Sequence, residues 1–298
     1  MKISGTFTAL VTPFSSKIGD KAIDWTAFAT LLDAQLAAKV TGIVPCGTTG
    51  ESPTLTDDER LELFRVAVDT LNGRGTVVAG TGTYSTAHSV HLTREAHELG
   101  VDAFLVVTPY YSKPPARGIV EHFRAIADVS DRPIVVYNIP SRVVVNLEPE
   151  TIVELAEIPT VRAVKQANDD LVQARRIVSE TDLTLYAGDD VLIFPFLELG
   201  GIGGICVHTH VVGPQVRRMI RSFHDGDVDT ARQLHEELQP AYELLKVQTN
   251  PIAIKAALNL LGHGVGGLRL PLVEASEGEV ALVRDCLERL GVLSGTPV

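Results

Sequence analysis

A chain of 298 residues, 45% hydrophobic and 21% charged, has the composition of a globular protein long enough to bury a large core without staples. Its formal net charge of −11 sets the surface against phosphate backbones and anionic lipid, which argues against nucleic acid and membrane partners. Cys46, Cys206 and Cys286 make neither a disulfide framework nor a zinc pattern, no apolar run reaches the ~18 residues of a membrane span, and "MKISGTFTALVTPF" lacks a secretory core, so a cytoplasmic location is expected.

Short apolar runs alternate with longer helical patterns. "FTALVTPF" (7–14) precedes a helix over 26–39, "GIVPCG" (42–47) one over 57–72, and "TVVAGTG" (76–82) one over 86–99. "AFLVVTP" (103–109) precedes 117–130, "PIVVYNIP" (133–140) precedes 149–157, and "VRAVKQA" (161–167) precedes 170–180. "LTLYAGDD" (183–190) and "GGICVHT" (203–209) are followed by helices over 191–199 and 213–225. The 57–72 segment shows the helical period most clearly, with Leu61, Phe64, Val68 and Leu71 on one face. Thr56 and Glu59 form a capping box at its start.

Eight strand–helix units with continuous apolar strands predict a parallel sheet covered on its outer face. Their number favours a closed (β/α)8 barrel, a TIM barrel, over residues 1–226; an open doubly wound sheet is the alternative. Residues 227–298 carry helical patterns near 228–247, 251–261 and 277–290, and are expected to form a C-terminal helical appendage.

A barrel places its chemistry at the C-terminal ends of the strands. The sixth run, "VRAVKQAN", ends with Lys165 among valines and alanines. Lysine is seldom buried without compensation, and a strand-end lysine ordinarily reaches water. An ammonium in a low-dielectric mouth instead loses hydration, which favours the free amine, a nucleophile that forms Schiff bases with carbonyls. The iminium lets the adjacent carbon lose a proton and become an enamine nucleophile, with no metal required. Tyr137, late in the fifth run, would lie beside it. Its phenol could relay protons, or it could be a core aromatic.

"GTTGES" (47–52) offers flexible backbone, free amides and the hydroxyls of Thr48 and Thr49 for a carboxylate or phosphate. It could equally be a tight turn, and it is not a P-loop, because no lysine follows the second glycine. Arg142 in "YNIPSR" suits a carboxylate, or is a surface arginine. "GTGTYS" lacks the third glycine of a dinucleotide fingerprint, and "GGIGG" suits tight packing before the eighth strand. His208 and His210 are expected on one strand face, lining or flanking the mouth rather than binding metal. Asp189 and Asp190 could bind a cation, although acids are favoured at a helix start anyway.

"GTTGES", "VTPYYSKPP", "YNIPSR" and a lysine ending the sixth strand, in that order, resemble the dihydrodipicolinate synthase family of pyruvate-dependent Schiff-base aldolases, from Thr6 to about Leu293. The resemblance implies a (β/α)8 barrel, usually a homotetramer built as a dimer of dimers, and no cofactor. It assigns pyruvate to Lys165 and proton transfer to Tyr137, Thr48 and Tyr111, the last serving a neighbouring subunit's site. Thr49 would bind the pyruvate carboxylate, Gly188 and Ile205 would line that pocket, and Arg142 would hold the carboxylate of aspartate semialdehyde. The implied product is 4-hydroxytetrahydrodipicolinate, on the route to lysine and diaminopimelate.

Three departures from the family pattern lie near the mouth: Gln166 in place of an acid, Val143-Val144-Val145 after Arg142, and "VHTH" at the eighth strand's end. They bear on the aldehyde rather than on the lysine chemistry. A related aldolase or dehydratase acting on another 2-oxo acid or sugar acid is therefore the alternative activity. A catalytically silent acid-binding barrel is a third reading, disfavoured by the full Lys–Tyr–Thr–Tyr set. In feedback-inhibited members lysine binds near Tyr110; here the matching positions are Asp57, Arg60, Tyr84 and His88, and weak or absent inhibition is expected.

Overall fold

The computed structural model describes residues 5–15 and 21–293; the outer ends of both expected regions, 1–4 and 294–298, lie outside it. The apolar runs form eight strands: β1 (Thr6–Ala9), β2 (Gly42–Val44), β3 (Thr76–Gly80), β4 (Ala103–Val107), β5 (Ile134–Asn138), β6 (Val161–Gln166), β7 (Thr184–Ala187) and β8 (Gly203–Cys206). Each pairs in parallel with the next, and β8 pairs with β1, Phe7 opposite Ile205, so the sheet closes. Closure selects the barrel over the open sheet and leaves no edge strand.

Around it run α1 (Trp25–Ala37), α2 (Asp57–Leu71), α3 (Thr86–Glu98), α4 (Ala116–Ala127), α5 (Pro140–Val143), α6 (Pro149–Ala156), α7 (Leu171–Glu180), α8 (Ile193–Glu198) and α9 (Thr209–His224). The expected capping box opens α2: Thr56 accepts from the Glu59 amide and Glu59 from the Thr56 amide. A Cβ at Gly80 would lie 2.3 Å from the Cys46 carbonyl oxygen, so backbone approach between β3 and the β2 loop accounts for the first glycine of "GTGTYS".

The C-terminal region forms α10 (Val228–Glu237), α11 (Gln239–Lys246), α12 (Ile252–Leu260) and α13 (Glu277–Arg289). The helix expected over 228–247 is two helices, because Pro240 lacks an amide donor and sits in the first turn of a restarted helix. The helix expected from 213 begins at Thr209 and kinks at Val212, ahead of Pro214. The short α5 and the 3-10 turns Ser52–Thr54 and Asp190–Leu192 carry no periodicity for a sequence to reveal.

A buried ion pair ties this region to the barrel. Lys255 on α12 donates to Glu51 Oε1 at 2.6 Å and to the Gly267 carbonyl at 2.7 Å. The Arg269 amide donates to the other Glu51 oxygen at 3.0 Å. The Lys255 ammonium and the Arg269 guanidinium both lie over the Phe14 ring, 4.3 and 4.6 Å from its centroid. Burial pushes Lys255 down to about 8, against the raising effect of Glu51.

His208 and His210 are not on a strand: β8 ends at Cys206, and both lie where the chain enters α9. Both are buried. His210 Nδ1 donates to the Val207 carbonyl at 2.8 Å, and Nε2 accepts from the Val11 amide at 3.2 Å. Those two bonds fix a neutral tautomer that locks α9 to the strand-one loop. Asp190 accepts from the Val207 and His208 amides and pairs with His208 Nδ1. Asp190, Cys206 and His208 have ligand atoms within 4.8 Å of one another. Burial raises the Cys206 thiol well above its ordinary value, which keeps it protonated, and the carboxylate is already engaged, so the cluster anchors the end of β7 to that of β8.

Two stability predictions follow from these buried groups. Replacing Lys255 with Met strands the Glu51 carboxylate and should cost about 3–5 kcal/mol in urea unfolding; a loss under ~1 kcal/mol would contradict the pairing. Burial pushes His210 down to about 4, whereas the unfolded imidazole titrates near 6.5, so the unfolded chain takes up the proton first. Stability should therefore be full above about pH 6.5 and fall by about 3 kcal/mol toward pH 4, with a shallower slope in His210→Gln.

Candidate active site

Alternation along the strands decides what enters the barrel. Gln166 reaches outward to Gln173 on α7, so Lys165 points inward. Asn138 likewise bonds Gln166 outside the sheet, so Tyr137 points inward. Parallel register sets Tyr137 directly opposite Lys165, and Lys165 opposite Tyr186. Lys165 is 5% exposed, and its Nζ lies 4.1 Å from the Tyr137 ring centroid. Among the described residues it has no carboxylate partner. The lysine is thus inside the barrel, against an aromatic face, and does not reach bulk water.

A cavity of about 300 Å³ opens at the C-terminal ends of the strands, and Thr48, Tyr137 and Arg142 line it. The "GTTGES" turn forms one wall. Gly50 and Glu51 amides donate back to Gly47 and Thr48 carbonyls, and Thr12 Oγ1 donates to the Gly50 carbonyl at 2.7 Å. The Thr48 and Thr49 amides donate to no acceptor among the described residues. Two successive free amides make a cradle for a carboxylate. Glu51 ends the turn in the left-handed region at φ +56, held there by Lys255 and the Arg269 amide.

Thr49 is buried, and its hydroxyl accepts from Asn250 Nδ2 at 2.9 Å. Asn250 also lines the cavity. Sequence reasoning missed it; the available signal was an Asn-Pro pair opening α12. Arg142 on α5 reaches the Asn250 carbonyl at 3.3 Å and Thr249 Oγ1 at 3.5 Å, long contacts that leave its fork free for a ligand. Gly188 follows β7 beside the lysine: a Cβ there would lie 3.0 Å from Lys165 Cγ and 2.8 Å from Ala167 Cβ. Ile205 faces the interior, because Gly204 and Cys206 on either side pack outward near Ile193.

Tyr111 is the exception. It is 95% exposed, adopts φ +70, and does not line the cavity of its own chain. Its neighbour Tyr110 does line it, and meets Tyr84 edge-on with ring centroids 5.5 Å apart. Thr48, Tyr137 and Arg142 thus line the cavity itself, Lys165 packs against the Tyr137 ring with Gly188 beside it, Thr49 is bonded to the lining Asn250, Ile205 lies on the inward face of β8, and Tyr111 stands apart from all of them.

Comparison with known proteins identifies the family. Residues 2–290 match the model of the dihydrodipicolinate synthetase family. A curated relative from Heliobacterium modesticaldum, named 4-hydroxy-tetrahydrodipicolinate synthase, is 42% identical over 98% of this chain and 97% of its own. One of the same name from Desulforudis audaxviator is 47% identical over 85% of this chain and 86% of its own. A dihydrodipicolinate synthase from Cyanidioschyzon merolae, solved with lysine bound, superposes with a TM-score of 0.94 at 41% identity, covering 97% of this chain and 99% of that one. The chain belongs to the dihydrodipicolinate synthetase family.

Proposed function

We propose that the chain condenses pyruvate, held as a Schiff base on Lys165, with aspartate 4-semialdehyde to give 4-hydroxytetrahydrodipicolinate. It is a lyase of the class I aldolase type, the activity for which its curated relatives are named. The observation that carries this reading is the inward Lys165, without a carboxylate partner and in register with Tyr137.

The Lys165 amine adds to the pyruvate ketone, and loss of water leaves an iminium. The two free amides and the Thr49 hydroxyl take the pyruvate carboxylate, while Gly188 and Ile205 shape the space around it. Tyr137 accepts and returns protons, with Thr48 as the next hydroxyl along. Loss of a methyl proton gives the enamine, whose carbon attacks the aldehyde. Arg142 orients that aldehyde through its distal carboxylate. The product's own amine then attacks the iminium carbon, closes the ring and releases Lys165.

Tyr111 completes the relay in a neighbouring copy, which its exposure supports. The working form in this reading is a cytoplasmic homotetramer, a dimer of dimers. Residues 1–226 act as the barrel and 227–298 as the helical appendage that braces its mouth through Lys255 and Asn250. A second reading, a different 2-oxo acid or sugar acid as substrate, rests on Val143 lining the cavity beside Arg142. Lysine is a weak effector or none in our reading: His88 occupies the Asp57 carboxylate at 2.8 Å, and the buried Arg60 guanidinium adds positive charge beside it.

Incubation with pyruvate and borohydride should add one reduced pyruvate to the wild-type peptide containing Lys165 and nothing to Lys165→Met. Turnover with aspartate semialdehyde should fall at least ~10³-fold in that variant; an unlabelled but active enzyme would overturn the mechanism. Calorimetric titration with lysine should show no saturable heat up to about 1 mM, and a micromolar Kd would contradict the effector assignment.

A further inference from the structure

Behind the catalytic strands lies a chain of carboxamides that the reaction does not use. Asn138 at the end of β5 and Gln166 at the end of β6 are buried, as is Gln173 on α7; Asn146 and Asn168 close the network at its half-buried rim. Asn138 Nδ2 donates to Gln166 Oε1 at 3.1 Å and to Asn146 Oδ1 at 2.8 Å. Gln166 Nε2 donates to Gln173 Oε1 and to Asn168 Oδ1. Asn168 Nδ2 donates to Asn146 Oδ1 at 3.1 Å and Gln173 Oε1 at 2.8 Å.

Backbone groups fix the sense of the chain. The Leu147 amide donates to Asn138 Oδ1, so Asn138 must turn its Nδ2 toward Gln166. The Leu147 carbonyl accepts from Gln173 Nε2, so Gln173 must turn its Oε1 toward Gln166. Position 166 therefore has to accept on one side and donate on the other. A glutamine does both. A carboxylate, which only accepts, would face two oxygens, those of Gln173 and Asn168.

The network also spans a functional excursion. The chain leaves the sheet at Asn138, forms α5 with Arg142, and returns at Asn146 and Leu147. Both ends of that excursion are bonded into the network, while Arg142 itself makes only long contacts of 3.3 and 3.5 Å. We propose that Gln166 is a positioning residue: through Asn138, Asn146 and Gln173 it fixes the Arg142 loop relative to Lys165 and Tyr137, and so sets the distance between enamine and bound acceptor. This rests on the reading of Arg142 as the acceptor-carboxylate group.

Three variants test it by steady-state kinetics, thermal melting and borohydride trapping of pyruvate. Arg142→Ala is the reference. Gln166→Glu keeps the shape and removes the donor, and Asn146→Ala removes the shared acceptor at the half-buried rim. KM for aspartate semialdehyde should rise about 10-fold or more in Arg142→Ala and Gln166→Glu, and about 3-fold or more in Asn146→Ala. KM for pyruvate and trapping at Lys165 should stay within about 2-fold of wild type. An unchanged acceptor KM in Arg142→Ala would overturn the reading of Arg142. A raised KM there with none in Asn146→Ala and a folded Gln166→Glu would overturn the positioning role alone. A fall in kcat and melting temperature with a rise in both KM values together would also overturn it, by showing a purely structural network. Should Gln166→Glu not fold, Asn146→Ala decides.

Discussion

A strand cannot present one residue to the barrel interior without presenting the next to the helices. That constraint organises this site. Turning Lys165 and Tyr137 inward obliges Gln166 and Asn138 to turn outward, into a layer of buried backbone and side chains where each polar atom needs a partner. The Lys165–Tyr137 pair and the carboxamide network are thus two faces of the same two strand ends. One face sets a buried amine against an aromatic ring, with no carboxylate beside it among the described residues. The other is saturated with hydrogen bonds, so that the strand ends do not move.

The opposite wall works differently. The turn after β2 leaves two amides without partners among the described residues, and its last residue, Glu51, sits in a left-handed conformation that a non-glycine residue adopts only when held. The holding comes from Lys255 and the Arg269 amide, far along the chain. An isolated buried ion pair is weak grounds for stability, since both charges lose water. Here its evident product is shape: the carboxylate closes the turn from behind, and Phe14 lies beneath both cations. Asn250 adds a second tether, through the Thr49 hydroxyl. The appendage and the cradle are therefore one mechanical unit.

Much of this was legible in the amino-acid order. All eight strands lie where continuous apolar runs meet turn residues, although Pro13 and Phe14 belong to the loop beyond β1, where Phe14 makes an isolated antiparallel bridge with Ile23 and donates its amide to the Val265 carbonyl. Lys165 stood out because a charge inside such a run has few explanations. The histidines were misplaced because "CVHTH" continues a β-rich pattern past the point where α9 starts. Neither the Glu51–Lys255 pair nor the amide sense of Gln166 was legible, since the first joins residues 204 apart and the second depends on which way the Leu147 peptide faces. Periodicity reports faces of local elements; it is silent on partners brought together by closure.

The tether between Glu51 and Lys255 has a consequence for biogenesis. The turn after β2 is translated early, but the lysine that holds its shape emerges more than two hundred residues later. The left-handed turn at Glu51 can therefore be clasped from behind only after α12 has been synthesised and has packed against it.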